Sequence, residues 1–410
     1  MSSLLGRFLR YVQVDTTARE DSGSIPSSPG QLELGRMLAG ELAALGVADA
    51  SQDEHGIVMG TVPATTPGAP VTAWAAHMDT SPEAPGAGVK PVVHERYDGG
   101  DIALPGDPTK VIRVAEAGGL AELRGKTLIT SDGTTLLGAD DKAGVAVIMT
   151  AVDRLMADRG IAHGPLRIVF TCDEEAGRGT DKLDVTKVGA VGAYTLDGEG
   201  AGLIENETFS ADLATVTVKG RNIHPGLATG RMVNAVRLAA EFARRMPWHS
   251  MAPETTAGRE GFLHPYTVEG GVGETAIKIL LRSFDSGELK RQADLLRGIA
   301  AQLVAEHPRA EIDVAVVEQY RNMADALTRA PRVVELAAEA VRRAGGTPSF
   351  KAIRGGTDGS RMSAMGLPTP NLSAGMHNFH SPLEYACLEE MEQAVNVLVE
   401  LARLWGGERG

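Results

Sequence analysis

Several short strings in this chain of 410 residues put carboxylates and imidazoles where chemistry is done. In AAHMDTSP, His77 and Asp79 stand two apart at the end of an apolar run, so both project to one side of a strand. An imidazole that binds a metal needs its second ring nitrogen held by a carboxylate or carbonyl, and His-x-Asp supplies both parts. The same tripeptide also serves as an ordinary turn. LLGADDKAG places Asp140 and Asp141 after Gly138 at a strand-to-helix turn. Adjacent acids repel, a cost that a cation relieves, although either one also suits a helix N-cap. FTCDEEAGRGT sets Asp173, Glu174 and Glu175 where a buried strand emerges. Paired carboxylates there let one hold a metal while its neighbour moves a proton; the plain alternative is a solvated charge run. YTLDGEG ends a further strand on Asp197, and HNFHSPLE offers His377 and His380 in a loop before the last helix, where each also reads as a surface histidine.

Together these positions sharpen the picture. His77, Asp140, Glu175 and Asp197 end four separate predicted strands, and His380 adds a fifth group. Imidazole plus carboxylate without thiolate suits zinc in a hydrolytic centre. Two zinc ions would balance the three carboxylates and one hydroxide.

Such residues need a scaffold that brings them together. Leu4, Leu5, Phe8, Leu9 and Val12 follow helical spacing, with Ser2 or Ser3 placed to cap. A second helix runs near Gln31 to Leu45 and stops at Gly46. Apolar runs at IVMGTVP, VTAWAAH, LRIVFT and GAYTL read as strands, with a polar, Gly- and Pro-rich excursion over 80–130 and a helix from near Lys142. Strands alternating with helices predict an α/β fold with a mostly parallel central sheet flanked by helices. Near residue 208 the pattern changes: DLATVTVKG and AIKILLRSFD alternate strictly, AEIDVAVV follows, and helices fall over 232–246 and 287–306. A β-α-β-β-α-β order of this kind is a self-contained, ferredoxin-like α+β module. The expected organisation is therefore a catalytic domain in two parts, 1–207 and 323–410, interrupted by an inserted domain over 208–322.

Composition narrows the function classes. Hydrophobic residues at 43% and charged residues at 23% exclude a disordered chain. A net charge of −13 argues against nucleic acid or an anionic membrane surface as partner. Two cysteines, Cys172 and Cys387, allow neither a disulfide framework nor a thiolate zinc site. The run SLLGRFLRYV contains Arg7 and Arg10, unlike a signal peptide's apolar stretch. No apolar run reaches the ~18 residues of a membrane span. A cytoplasmic protein is expected.

In this order, TLITSDGTTLLGADDKAG, NIHPGLATGRMVNA, IRGGTDG and MGLPTPN resemble segments of the dinuclear zinc metallopeptidase family that includes tripeptide aminopeptidases, carboxypeptidase G and the aminoacylases. The likeness runs over essentially the full chain and is strongest to the tripeptide aminopeptidases. It implies a zinc-exopeptidase-like fold whose inserted domain acts as a lid and, in several relatives, as a dimerisation surface, so a homodimer is compatible. It also implies that His77 and Asp197 bind one zinc, Glu175 and His380 the other, and that Asp140 bridges both with a cis peptide to Asp141. Asp79 would orient His77, and Glu174 would be the general base acting on a metal-bridging water. His224 would stabilise the oxyanion, while Arg282 and Arg354 would clamp the carboxylate of a tripeptide. Read without the resemblance, His224 only shapes a turn before Pro225, and Arg282 is an ordinary strand residue. Cys172, Glu199, the residues after His380 and the stretch 253–275 depart from the family pattern. The rival readings are a zinc-dependent N-acyl-amino-acid hydrolase or carboxypeptidase of the same family, a non-catalytic binding relative, and a cysteine hydrolase using Cys172.

Overall fold

The computed structural model describes residues 3–409, which fold as two compact units. The larger comprises the chain up to Asn206, Asp325–Lys351 and Arg361 onward; the smaller comprises Glu207–Ala324 with Ala352–Ser360.

The larger unit is built on a mixed sheet of 11 strands. Its centre is parallel, in the order Leu166–Thr171, Thr72–His77, Ala193–Glu199 and Asn371–His377. The flanks are antiparallel: Val58–Val62 on one side, and Tyr385–Cys387, Leu128–Thr130 and Val92–His94 on the other. Every residue of Thr72–His77 and of Asn371–His377 is buried, as expected for central parallel strands covered on both faces. The helix Ala139–Ala157 packs on Thr72–His77, Ala193–Glu199 and Asn371–His377, and the helix Leu388–Gly407 packs on it in turn. Small residues permit the close fit. A Cβ at Gly144 would lie 2.0 Å from the Leu196 carbonyl oxygen, so the chain can approach the strand here only as glycine.

The helix Leu4–Tyr11 is capped by Ser3, whose hydroxyl accepts Gly6 N–H; Ser2 lies outside the described residues. Arg7 on this helix reaches Asp153 of the central helix at 2.8 Å, both buried. The helix Pro29–Ala44 begins on a proline, which loses nothing at a first helical position. The excursion over 80–130 carries more structure than its composition suggests. Short strands at Val92–His94, Ile102–Ala103, Val111–Ile112 and Leu128–Thr130 enclose a local core of Tyr97, Leu104, Leu120 and Leu123. Strands of two or three residues are too brief to show a period.

The smaller unit is a four-stranded antiparallel sheet in the order Phe262–Gly270, Glu274–Ser283, Ser210–Lys219 and Glu311–Tyr320. The helices Ala235–Arg245 and Ser286–Glu306 pack against it, burying Val216, Phe242, Ile277, Ile279, Leu296 and Leu303. The edge strand Phe262–Gly270 escaped the sequence reading. Pro265 interrupts its pattern at a register shift, a position that an edge strand tolerates.

Candidate metal centre

His77 is the last residue of Thr72–His77 and is buried. Its Nε2 lies 2.9 Å from Asp140 Oδ1 and 3.6 Å from Asp197 Oδ1. Its Nδ1 lies 3.1 Å from the Asp79 carbonyl oxygen and 3.4 Å from Asp79 Oδ1. The main chain of Asp79 is thus the nearer partner that fixes the ring. The Asp79 carboxylate also accepts the N–H groups of Glu174 and Glu175, at 3.0 Å each. One buried aspartate therefore ties together the ends of two parallel strands.

His380 approaches from the other side. Its Nε2 is 3.0 Å from Glu175 Oε2 and 3.3 Å from Asp140 Oδ2, and its Nδ1 is 3.4 Å from Glu83 Oε2. The two oxygens of Asp140 thereby face two different imidazoles. The peptide between Asp140 and Asp141 is cis, and both residues have non-helical dihedrals before the regular helix begins. Asp140 follows the loop 131–138 rather than a strand directly, while Asp197 lies inside the strand Ala193–Glu199. That strand continues past Asp197 because Gly198 pairs closely with Asn371–His377, where a Cβ would meet the Leu372 carbonyl at 2.8 Å. Asn371 Oδ1 accepts Asp197 N–H at 3.0 Å and steadies this position.

Among the described residues, two groups of side chains lie close enough to share an ion: His77 with Asp140 and Glu175, and His77 with Asp141 and Asp197. Asp141 is already committed, since Oδ2 accepts His77 N–H and Oδ1 accepts Gly144 N–H. Asp140 is the acid whose oxygens face imidazoles. Electrostatics favours a cation here. Burial pushes Glu175 up to about 7 and Asp197 up to about 8, each raised further by the charge of Asp140. Burial also opposes ionisation of Asp140, but the His380 and His77 rings outweigh it and hold that carboxyl below the usual range. Burial works against protonation of His380, and Asp140 and Glu175 overcome it to raise the ring to about 11. Glu175 Oε1 is buried with no hydrogen-bond partner among the described residues. Imidazoles, carboxylates and an unfilled buried acceptor fit a divalent ion with N/O preference.

The remaining sequence candidates fall elsewhere. His377 is not in a loop: it ends the buried strand Asn371–His377, stacks on Tyr385 and meets Glu390 Oε2 at 2.7 Å. Glu199 sits 3.6 Å from Lys351 and 3.8 Å from His377, and the hydrogen bond from His377 lowers its carboxyl against the opposing effect of burial. His224, Arg282 and Arg354 belong to the smaller unit. His224 is exposed, and its Nδ1 accepts Gly226 N–H at 3.1 Å. Arg282 Nη1 donates to Gln319 at 2.9 Å, and its guanidinium lies over Tyr320. Arg354 donates to the carbonyls of Gly258, Glu260 and Thr256 and lies over Phe209 and Phe262, which makes it a staple of the 256–260 loop. Sequence reasoning missed Glu83 and Glu384 as neighbours of the site, since single carboxylates carry no pattern.

A mixed, largely parallel sheet that gathers imidazoles and carboxylates near the carboxyl ends of its strands defines the class of α/β proteins with a site suited to a metal ion. The chain belongs to peptidase family M20/M25/M40, whose pattern it matches over residues 132–404, and it is a peptidase. It is 45% identical over 403 residues to Peptidase T of Geobacillus kaustophilus (strain HTA426), covering 98% of each chain. Among solved structures it is similar to the aminopeptidase PepT of Bacillus cereus ATCC 10987, with a TM-score of 0.75, 26% identity and 98% of each chain covered. It shares the fold of a tripeptidase from Staphylococcus aureus subsp. aureus mu50, with a TM-score of 0.77, 24% identity, and 99% and 98% coverage.

Proposed function

We propose that this peptidase removes the N-terminal residue from tripeptides, using two zinc ions held by His77, Asp140, Glu175, Asp197 and His380. The supporting observation is that Asp140 turns one oxygen toward His77, at 2.9 Å, and the other toward His380, at 3.3 Å, the disposition required of a carboxylate shared by two ions. Glu175 flanks one side and Asp197 the other. Zinc bound there would polarise the scissile carbonyl and supply a nucleophilic water at neutral pH.

The chain's own groups do the rest. Asp79 holds the His77 ring in one orientation and fixes the Glu174–Glu175 turn through both amides. Glu174 takes the proton of the attacking water and returns it to the leaving amine. We propose His224 as the group that contacts the oxyanion, and Arg282 and Arg354 as the groups that contact the far carboxylate of the substrate. Tripeptide selectivity is drawn from the Peptidase T and tripeptidase relatives. The charge of −13 and two buried cysteines suit cytoplasmic peptide breakdown without nucleic-acid or membrane partners. Among the described residues no helix is long and apolar enough to cross a membrane. Stepwise zinc addition to chelator-treated protein tests the two-ion reading: release of the N-terminal amino acid should saturate at two ions per chain, and saturation at one would overturn it.

A further inference from the structure

The turn that presents Asp140 is held by a carboxylate from the far end of the chain. Glu384 is buried, with 1% of its surface exposed. Its Oε2 accepts Leu137 N–H at 2.8 Å and Gly138 N–H at 2.7 Å, and its Oε1 accepts Asp140 N–H at 2.9 Å. Amides at the start of a helix have no intrahelical acceptor and must find one elsewhere. Here all three are gathered on one side chain, in charge-assisted bonds that are stronger than neutral ones. The turn depends on such an acceptor, because the chain stays non-helical through Asp140 and Asp141 and the regular helix begins only after them.

Glu384 belongs to the segment that carries His380. Glu384 N–H donates to the Ser381 carbonyl at 3.1 Å, and Leu383 N–H to the Ser381 hydroxyl at 2.9 Å, so 381–384 is a closed turn. One end of this segment meets Asp140 Oδ2 through His380 Nε2, and the other grips the Asp140 main chain. We propose that Glu384 is a positioning residue of the metal centre, its carboxylate locking the Asp140 turn against the His380 segment and so setting the span between these two ligands. This rests on the dinuclear reading above.

The test uses the full chain, stripped of metal and titrated with Co²⁺, whose visible absorption reports ligand geometry. Glu384→Gln keeps the shape of the side chain but turns one acceptor into a donor facing amide N–H groups. Glu384→Asp keeps the charge but shortens the reach. Both variants should bind Co²⁺ about 10- to 100-fold more weakly, the usual cost of losing a partner that orients a metal ligand, with an altered absorption band. The Leu137, Gly138 and Asp140 amides should exchange hydrogen faster in the metal-free variants. If Glu384→Gln does not fold, Glu384→Asp gives the same reading. Parental Co²⁺ affinity and spectrum in Glu384→Gln would overturn the proposal, as would full rescue by Glu384→Asp, which would show that charge alone matters. A parent chain that takes up no Co²⁺ would instead defeat the dinuclear reading itself, and none of these readouts depends on peptide cleavage.

Discussion

Glu174 and Glu175 share a turn whose two amides both donate to Asp79, yet the tasks assigned to them differ. Glu175 reaches His380 and keeps one buried oxygen unfilled, the signature of a ligand. Glu174 is its neighbour, proposed above as the group that moves the proton. Glu174→Gln should retain both zinc ions while turnover falls by about 10²–10⁴-fold, the usual contribution of a general base. Glu175→Ala should lose metal along with activity. Elemental analysis beside a rate measurement separates the two, and equal metal loss in both variants would cancel the division of labour. The sequence made this pair legible because three consecutive acids follow an apolar strand. It left Glu83 and Glu384 unread, because what each does depends on a contact across the fold: Glu384 lies well over 200 positions from the amides it binds.

At the scale of elements, the site depends on how tightly the helix Ala139–Ala157 lies on the parallel strands. Gly144 sets that distance, since a Cβ there would clash with the Leu196 carbonyl at 2.0 Å and with Asp141 Oδ1 at 2.4 Å. Gly144→Val should lower stability by about 1–3 kcal/mol, the usual cost of overpacking. It should also weaken metal binding, because Leu196 adjoins Asp197. A denaturation midpoint and a zinc titration check both effects, and parental values in each would show that the helix can shift freely. The same tight packing explains what could be read beforehand. Thr72–His77 and Leu166–Thr171 are buried at every residue but Arg167 because both faces are covered, whereas the strands in 80–130 are too short to announce themselves. In the sequence Gly198 reads as a turn that ends the strand on Asp197; the structure uses that glycine for a close strand approach instead.

For the whole molecule, the clustered charge couples metal to protons. Without metal, burial and then the charge of Asp140 push Glu175 up to about 7 and Asp197 up to about 8, from ordinary values of 4.5 and 3.8. Raised carboxyl values mean that the folded state holds protons which the unfolded chain has released. The stability they contribute is complete below about pH 4 and is lost as pH rises through 7 to 8. Metal-free protein should therefore melt at progressively lower temperature from pH 5 to pH 8, and zinc should cancel that slope. Zinc uptake at pH 7 should release protons, because the ligands bind as bases; calorimetry in buffers of different ionisation enthalpy measures the number. A melting temperature independent of pH in the metal-free protein would contradict this coupling.

The central claim concerns the reaction itself, and it is tested most directly by offering the zinc-loaded protein a dipeptide, a tripeptide, a tetrapeptide and an N-acetylated tripeptide side by side and identifying the products. Cleavage of the free tripeptide alone, releasing its N-terminal amino acid and a dipeptide, is the expected result. Cleavage of the acetylated peptide, or release of a C-terminal residue, would contradict the aminopeptidase assignment and leave the metal centre serving an acyl-amino-acid hydrolase or a carboxypeptidase.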